Sequence, residues 1–308
     1  MSTYYKFRGE KSTLVPEDKL FPQSLLEIPK PPKCLYVYGN PNALEEGISI
    51  VGARCASPYG LSAVKHFGSI ASKLGLCIIS GGAYGCDIEA HKTALSNHGK
   101  TVVFLGSGCN MPHPVKHIKI YQEIIDSGGA IVSEFPWDMP PLKSQFILRN
   151  RLIAALAKVT FVVEAGLPSG TFSTANYAIE YGKEVWTIPG SINFSGAMGC
   201  NKLIFDGATP IINDEIFLYL LNKTFGVKSS LLNNKPKVQY GKKLGFSGNP
   251  ILEALMAEPM STEALLNIAK QKCKKENPYS WLSKMLIEAE NSGKICKYKD
   301  GRYGPVIS

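Results

Sequence analysis

The chain has 308 residues, 44% of them hydrophobic and 19% charged, the balance of a globular protein with room for one large domain and one small one. It has no apolar run long enough to span a bilayer and no apolar signal core at its N-terminus, so a cytoplasmic protein with no membrane contact is expected. The formal net charge of +9 is concentrated C-terminally, where residues 223–308 hold 15 Lys and Arg against 7 Asp and Glu; this implies a polyanionic partner, or else a solvated Lys-rich tail.

Residues 1–47 are Pro-rich and weakly patterned, and read as an N-terminal lead-in segment packed on the main domain through Leu25, Leu26, Leu35 and Tyr36. From residue 48, apolar strands alternate with amphipathic helices. Strands are predicted at 48–53, 76–80, 101–106, 130–134, 160–165 and 185–190. They are apolar on both parities, as where helices cover both faces of a parallel sheet. Residues 48–222 therefore read as an extended Rossmann-like α/β domain, doubly wound and mostly parallel, with its ligand crevice beyond the strand C-termini.

Residues 223–249 carry five Lys between 228 and 243 and no acid, the pattern of a basic flexible linker. Residues 250–308 predict three helices, with Ser261 or Thr262 as a cap, and a terminal hairpin turning at Asp300-Gly301. That is the order of a small winged-helix-like domain. The eight cysteines form no C-x-x-C pair and are expected to be reduced thiols, with no metal site and no disulfide framework.

Three strand-to-helix junctions are candidates for holding an anion, because backbone N–H groups and the positive helix end point the same way there. The first is Gly52-Ala53-Arg54, where glycine permits close approach and Arg54 suits a phosphate, although a glycine and arginine after a strand also serve structure alone. The second is Ser80-Gly81-Gly82-Ala83-Tyr84-Gly85-Cys86-Asp87, with Asp87 readable as a helix cap. The third is Ser169-Gly170-Thr171, where more hydroxyls cluster than capping needs.

Between the second and third lies Lys143-Ser144-Gln145-Phe146-Ile147-Leu148-Arg149-Asn150-Arg151. Phe146 and Arg149 share a side if this turn is helical, which suits a base on the ring and its phosphate on the charge. Phe146 as core filler is the competing reading. No phosphate-loop motif, nucleophile elbow or H-E-x-x-H pattern occurs, so no catalytic residue is assigned.

The segments VGAR, SGGAYGCDIEAH, GKTVVFLGSG, FILRNRLIAAL, EAGLPSGTFSTANYA, VWTIPGSI and GCNKLIFDGA, in this order over residues 35–220, resemble the DNA-processing protein A (DprA/Smf) family. The resemblance implies a cytoplasmic, dimeric protein with no cofactor. It would bind single-stranded DNA, protect it during natural transformation and help load the RecA recombinase. It assigns backbone phosphates to Gly52, Ala53 and Arg54, aided by Ser80, Gly81 and Gly82, and the strand's path to Lys143, Phe146, Arg149 and Arg151. Relatives often carry a lysine directly after the proline matching Pro114; here Val115 stands there and the lysine is Lys116.

Two rival readings stay open. The same sheet serves nucleoside-monophosphate phosphoribohydrolases, whose P-G-G-x-G-T-x-x-E loop brings a glutamate to the sugar; the matching place here ends in Thr174, which removes the acid–base group. The other is a nucleotide-sensing Rossmann module.

Overall fold

Nine strands make one sheet in the computed structural model, which describes residues 4–227, 250–272, 277–298 and 300–305. In chain order they are β1 (Lys11–Leu14), β2 (Leu35–Gly39), β3 (Gly47–Val51), β4 (Ile78–Ser80), β5 (Thr101–Phe104), β6 (Ala130–Ser133), β7 (Ala157–Val162), β8 (Glu184–Thr187) and β9 (Thr209–Pro210). The helices among them are α1 (Gln23–Leu26), α2 (Pro58–Lys73), α3 (Cys86–Ser96), α4 (Ile118–Asp126), α5 (Lys143–Leu156), α6 (Thr171–Glu180), α7 (Met198–Phe205) and α8 (Asp214–Phe225). The chain divides into two units, residues 1–236 and 237–308.

The strand order is β1-β2-β6-β5-β4-β3-β7-β8-β9, with β3 to β9 paired parallel and β2 antiparallel to both β1 and β6. This is the mostly parallel α/β sheet that the two-sided apolar strands predict. On one face Ile48, Ile50 and Phe161 pack on Val64 and Phe67 of α2 and Phe217 of α8. On the other Val51, Ile79, Phe104 and Val162 pack on Leu152 and Leu156 of α5 and Ala175 of α6. Fully burying a side chain such as Phe161 contributes about 1.5–3 kcal/mol, so each face is held by many such increments.

After β3 the chain lays down β4 to β6 on one side, then returns to place β7 on the other. Neighbouring connections diverge at that point, and the C-terminal ends of β3, β4 and β7 open into a crevice.

Three expectations change. The lead-in supplies two strands: Leu35 and Val37 are buried in the core beside Phe104, while Tyr38 joins Phe7 and Tyr121, so β2 alternates in period two between two apolar cores and extends the sheet. The linker does not begin at 223, because α8 continues through Phe225, anchored by buried Leu220 and Leu221 and ended by left-handed Gly226 at φ 66°. Residues 228–249 lie outside the described residues. β7 begins at Ala157 directly after α5, three residues before the predicted start, and stops at Val162, which frees Glu164 for a helix terminus.

The second unit contains α9 (Pro250–Ala257), α10 (Thr262–Lys272), α11 (Pro278–Asn291), β10 (Ile295–Lys297) and β11 (Tyr303–Pro305). Ser261 caps α10, its hydroxyl accepting the Ala264 N–H at 3.2 Å. The two strands pair antiparallel across a turn in which Gly301 has φ 83°. Leu255, Leu265, Leu282, Leu286 and Ile295 form this unit's own core. No disulfide joins the cysteines of the described residues, and no described helix is long and apolar enough to cross a membrane.

Candidate nucleic-acid interface

The β3-to-α2 junction is tightly sewn before any ligand is considered. The Ala53 N–H donates to the Glu164 carbonyl at 2.7 Å, and the Ala53 carbonyl accepts the Cys86 N–H at 3.2 Å. The α2 N-terminus is closed by the protein's own anion. The Ser57 N–H donates to both Glu164 carboxylate oxygens, at 3.0 and 3.2 Å, its hydroxyl donates to the same group, and that hydroxyl accepts the Gly60 N–H at 3.1 Å. A buried carboxylate thus sits where the sequence suggested an incoming phosphate would. Arg54 projects from this loop, exposed and without an ionic or hydrogen-bond partner among the described residues.

The β4-to-α3 loop is closed in the same way. Buried Asp87, the second residue of α3, accepts the Ala83 N–H at 3.4 Å and is also held by the N–H groups of Gly52 and Gly81. It is therefore a tie between two loops rather than a simple cap. Burial pushes its carboxyl above the usual carboxylate range, with the Arg149 guanidinium opposing that rise. A Cβ on Gly81 would stand 2.7 Å from an Arg149 nitrogen and 2.8 Å from the Asp87 carboxylate, so only glycine fits between them.

α5 crosses the crevice with Lys143 exposed, Phe146 half-buried and Arg149 buried. Arg149 donates to the Gly81 carbonyl at 2.6 Å and to the Phe104 carbonyl, and its Nε donates to Asn150 Oδ1 at 3.1 Å. Its guanidinium carbon lies 6.0 Å from the Phe146 centroid, placing the two on one helix side as their spacing predicts. The Asn150 amide donates to the Ser173 hydroxyl at 2.7 Å, tying α5 to α6. At α6 the Ser169 hydroxyl accepts the Thr171 N–H at 3.1 Å, and Gly170 occupies the cap position with no side-chain cap.

These elements enclose a cleft of about 780 Å³ at the switch point of the sheet. Gly52, Ala53, Arg54, Gly81, Lys143, Phe146, Arg149, Asn150, Ser169, Gly170 and Thr171 all line it. Three residues expected with them do not. The Ser80 hydroxyl donates to the Ile50 carbonyl at 2.6 Å inside the sheet. Gly82 turns its carbonyl away to His117 Nδ1 at 2.9 Å and the Tyr121 hydroxyl at 3.0 Å. Arg151 is buried in an ion pair with Glu134. The helical period decides this last case: Arg151 lies two residues past Arg149, on another face of α5. Lys116 is exposed and outside the lining.

Sequence reasoning did not assign Tyr84, His113 or Ile147 to the site, though all line it. Tyr84 lay within a quoted motif, whereas His113 is remote in sequence and arrives through tertiary packing, edge-to-face with Phe146 at 5.6 Å. Burial, then the charge of Arg54, hold the His113 imidazole below its ordinary pKa. Among the described residues no group of three or more His, Cys, Asp or Glu is arranged to hold a metal.

A family model described as DNA recombination-mediator protein A matches residues 12–222. The Escherichia coli Protein Smf is 40% identical over 216 residues, which are 70% of this chain and 57% of the relative, so the chain spans little more than half that relative's length. The solved structure of DNA processing protein A from Streptococcus pneumoniae aligns with a TM-score of 0.63 at 33% identity, covering 68% of this chain and 74% of that one. The same protein from Helicobacter pylori, described for its unique single-stranded DNA binding mode, aligns with a TM-score of 0.64 at 32% identity, covering 70% of this chain and 98% of that one.

Proposed function

The chain belongs to the DNA recombination-mediator protein A family, and from that premise we propose that it binds single-stranded DNA in the switch-point cleft without reacting with it. The observation that carries the reading is the pairing of charges there. Asp87 and Glu164 are consumed by backbone N–H groups and Ser57, while Arg54 and Lys143 have no partner among the described residues and line the same cleft as the half-buried ring of Phe146. Free cations beside an aromatic platform suit a sugar-phosphate chain whose bases stack. A hydrolase would need a carboxylate presented to substrate, and the place where the rival enzymes carry a glutamate is Thr174, buried in the cleft wall.

The same reading extends to a cytoplasmic homodimer that protects incoming single strands in natural transformation and assists loading of a RecA-type recombinase, with residues 48–222 as the DNA-binding domain and 250–308 as an accessory winged-helix-like domain. It needs no cofactor. The test is an anisotropy titration of the purified chain with single-stranded and duplex oligonucleotides across a salt series. Salt-sensitive, sequence-tolerant preference for single strands is expected. No binding in dilute buffer, or release of free base from a nucleoside monophosphate, overturns the proposal.

A further inference from the structure

Tyr84 is a large aromatic side chain left 44% exposed in the wall of the cleft. Its position is held from several sides. Gly82 and Gly85 flank Ala83-Tyr84 with φ of 68° and 74°, a backbone path that side chains other than glycine rarely follow. The peptide unit just before Tyr84 is held from two directions: Asp87 takes the Ala83 N–H at 3.4 Å, and His117 Nδ1 meets the Gly82 carbonyl at 2.9 Å. The His117 ring then contacts the Tyr84 ring at 4.8 Å with 69° between planes.

A second aromatic pair repeats this geometry. His113 meets Phe146 at 5.6 Å and 64°. The five-residue segment from His113 to His117 thus steadies one cleft ring at each end. Rings that meet edge to face leave at least one face of each partner uncovered by the other, because only one of the two can present its face to the contact. The Tyr84 hydroxyl has no hydrogen-bond partner among the described residues. A fixed, partly exposed ring in a cleft lined by free cations is a platform whose ordering cost was met when the chain folded.

Resting on the proposed single-strand binding, we propose that Tyr84 is a second base-stacking platform, so that the cleft seats one base on Phe146 and another on Tyr84. Stacking carries no charge, so Tyr84 sets affinity for bases and leaves the phosphate grip to Arg54 and Lys143. The two contributions separate in one experiment on the full chain, using an oligodeoxythymidylate and an abasic oligomer of the same length.

Tyr84→Ala and Tyr84→Leu weaken binding of the thymidylate by about five- to a hundredfold, Tyr84→Phe restores it, the slope of log affinity against log salt is unchanged, and the abasic oligomer binds all four proteins alike. Tyr84→Leu retains an apolar contact for His117, so a loss shared by both variants is not a folding defect. Equal binding of the thymidylate by wild type and both variants overturns the inference, as does an equal loss on the abasic oligomer, which would make Tyr84 a support of the loop. A wild-type chain that binds neither oligomer instead removes the underlying reading of the cleft.

Discussion

Arg149 holds the carbonyl of Gly81 at 2.6 Å from the far side of the crevice, and the same guanidinium reaches the Phe104 carbonyl. One side chain of α5 thereby clamps the C-terminal ends of β4 and β5 and neutralises the buried surroundings of Asp87. Replacing it by alanine leaves two buried carbonyls without their donor and the Asp87 carboxylate without its neighbouring positive charge. The expected cost of Arg149→Ala is about 3–5 kcal/mol of folding stability, read from a urea transition, with loss of binding as a consequence. A variant of wild-type stability that binds weakly would make Arg149 a direct contact instead.

Arg54 and Lys143 are exposed and unpartnered among the described residues, so their removal costs the fold little. Arg54→Ala and Lys143→Ala are each expected to change stability by less than about 0.5 kcal/mol. Each should flatten the dependence of log affinity on log salt by about 0.7 for every phosphate released. An isotherm and slope equal to wild type would exclude that residue from the site.

Phe146 is half-buried, and its ring lies so close to Gly106 that a Cβ there would stand 2.6 Å from a ring carbon. Phe146→Ala is expected to weaken single-strand binding by about 1–3 kcal/mol. Its stability loss should be smaller than the about 3–5 kcal/mol of a wholly buried ring. Full affinity in the variant, together with a large stability loss, would return Phe146 to the core.

His91 makes the fold sensitive to acid. The Thr101 hydroxyl donates to the Ile78 carbonyl at 2.7 Å, so its oxygen accepts from His91 Nδ1, also at 2.7 Å, and Nε2 is left a bare acceptor with no partner among the described residues. Burial, reinforced by the charges of His117 and Arg149, pushes this imidazole down to about 3. Between the unfolded value near 6.5 and about 3, the unfolded chain binds a proton that the folded chain refuses, so stability falls as pH falls. The full effect is on the order of 5 kcal/mol. His113 and His117, also lowered by burial, act in the same direction, while Asp87 and Glu134, raised by burial, act in the opposite one. Urea midpoints measured from pH 7 to pH 4 should drop in wild type and drop less in His91→Asn. Identical profiles would clear His91 of the effect.

Much of this molecule is written in short-range patterns. Apolar residues on both parities of each strand call for helices on both faces, and small-residue loops after β3, β4 and β7 mark the ligand end of a parallel sheet. Phe146 and Arg149 fall on one side of α5 because their spacing is close to one helical turn. Local order also determines that Asn213 caps α8 and Gly226 ends it.

The assignment of partners was decided in three dimensions. Nothing near Ser57 in the chain announces that Glu164 will occupy the α2 N-terminus, or near Arg151 that Glu134 will take its charge. Arg54 and Arg151 look equally available as letters, yet one faces solvent and the other is buried in an ion pair. The amino-acid sequence determined the sheet, its open end and which residue types gather there. Only the tertiary structure decided which of those charges remain free, because a charge is available to a ligand only when no residue distant in sequence has been folded against it.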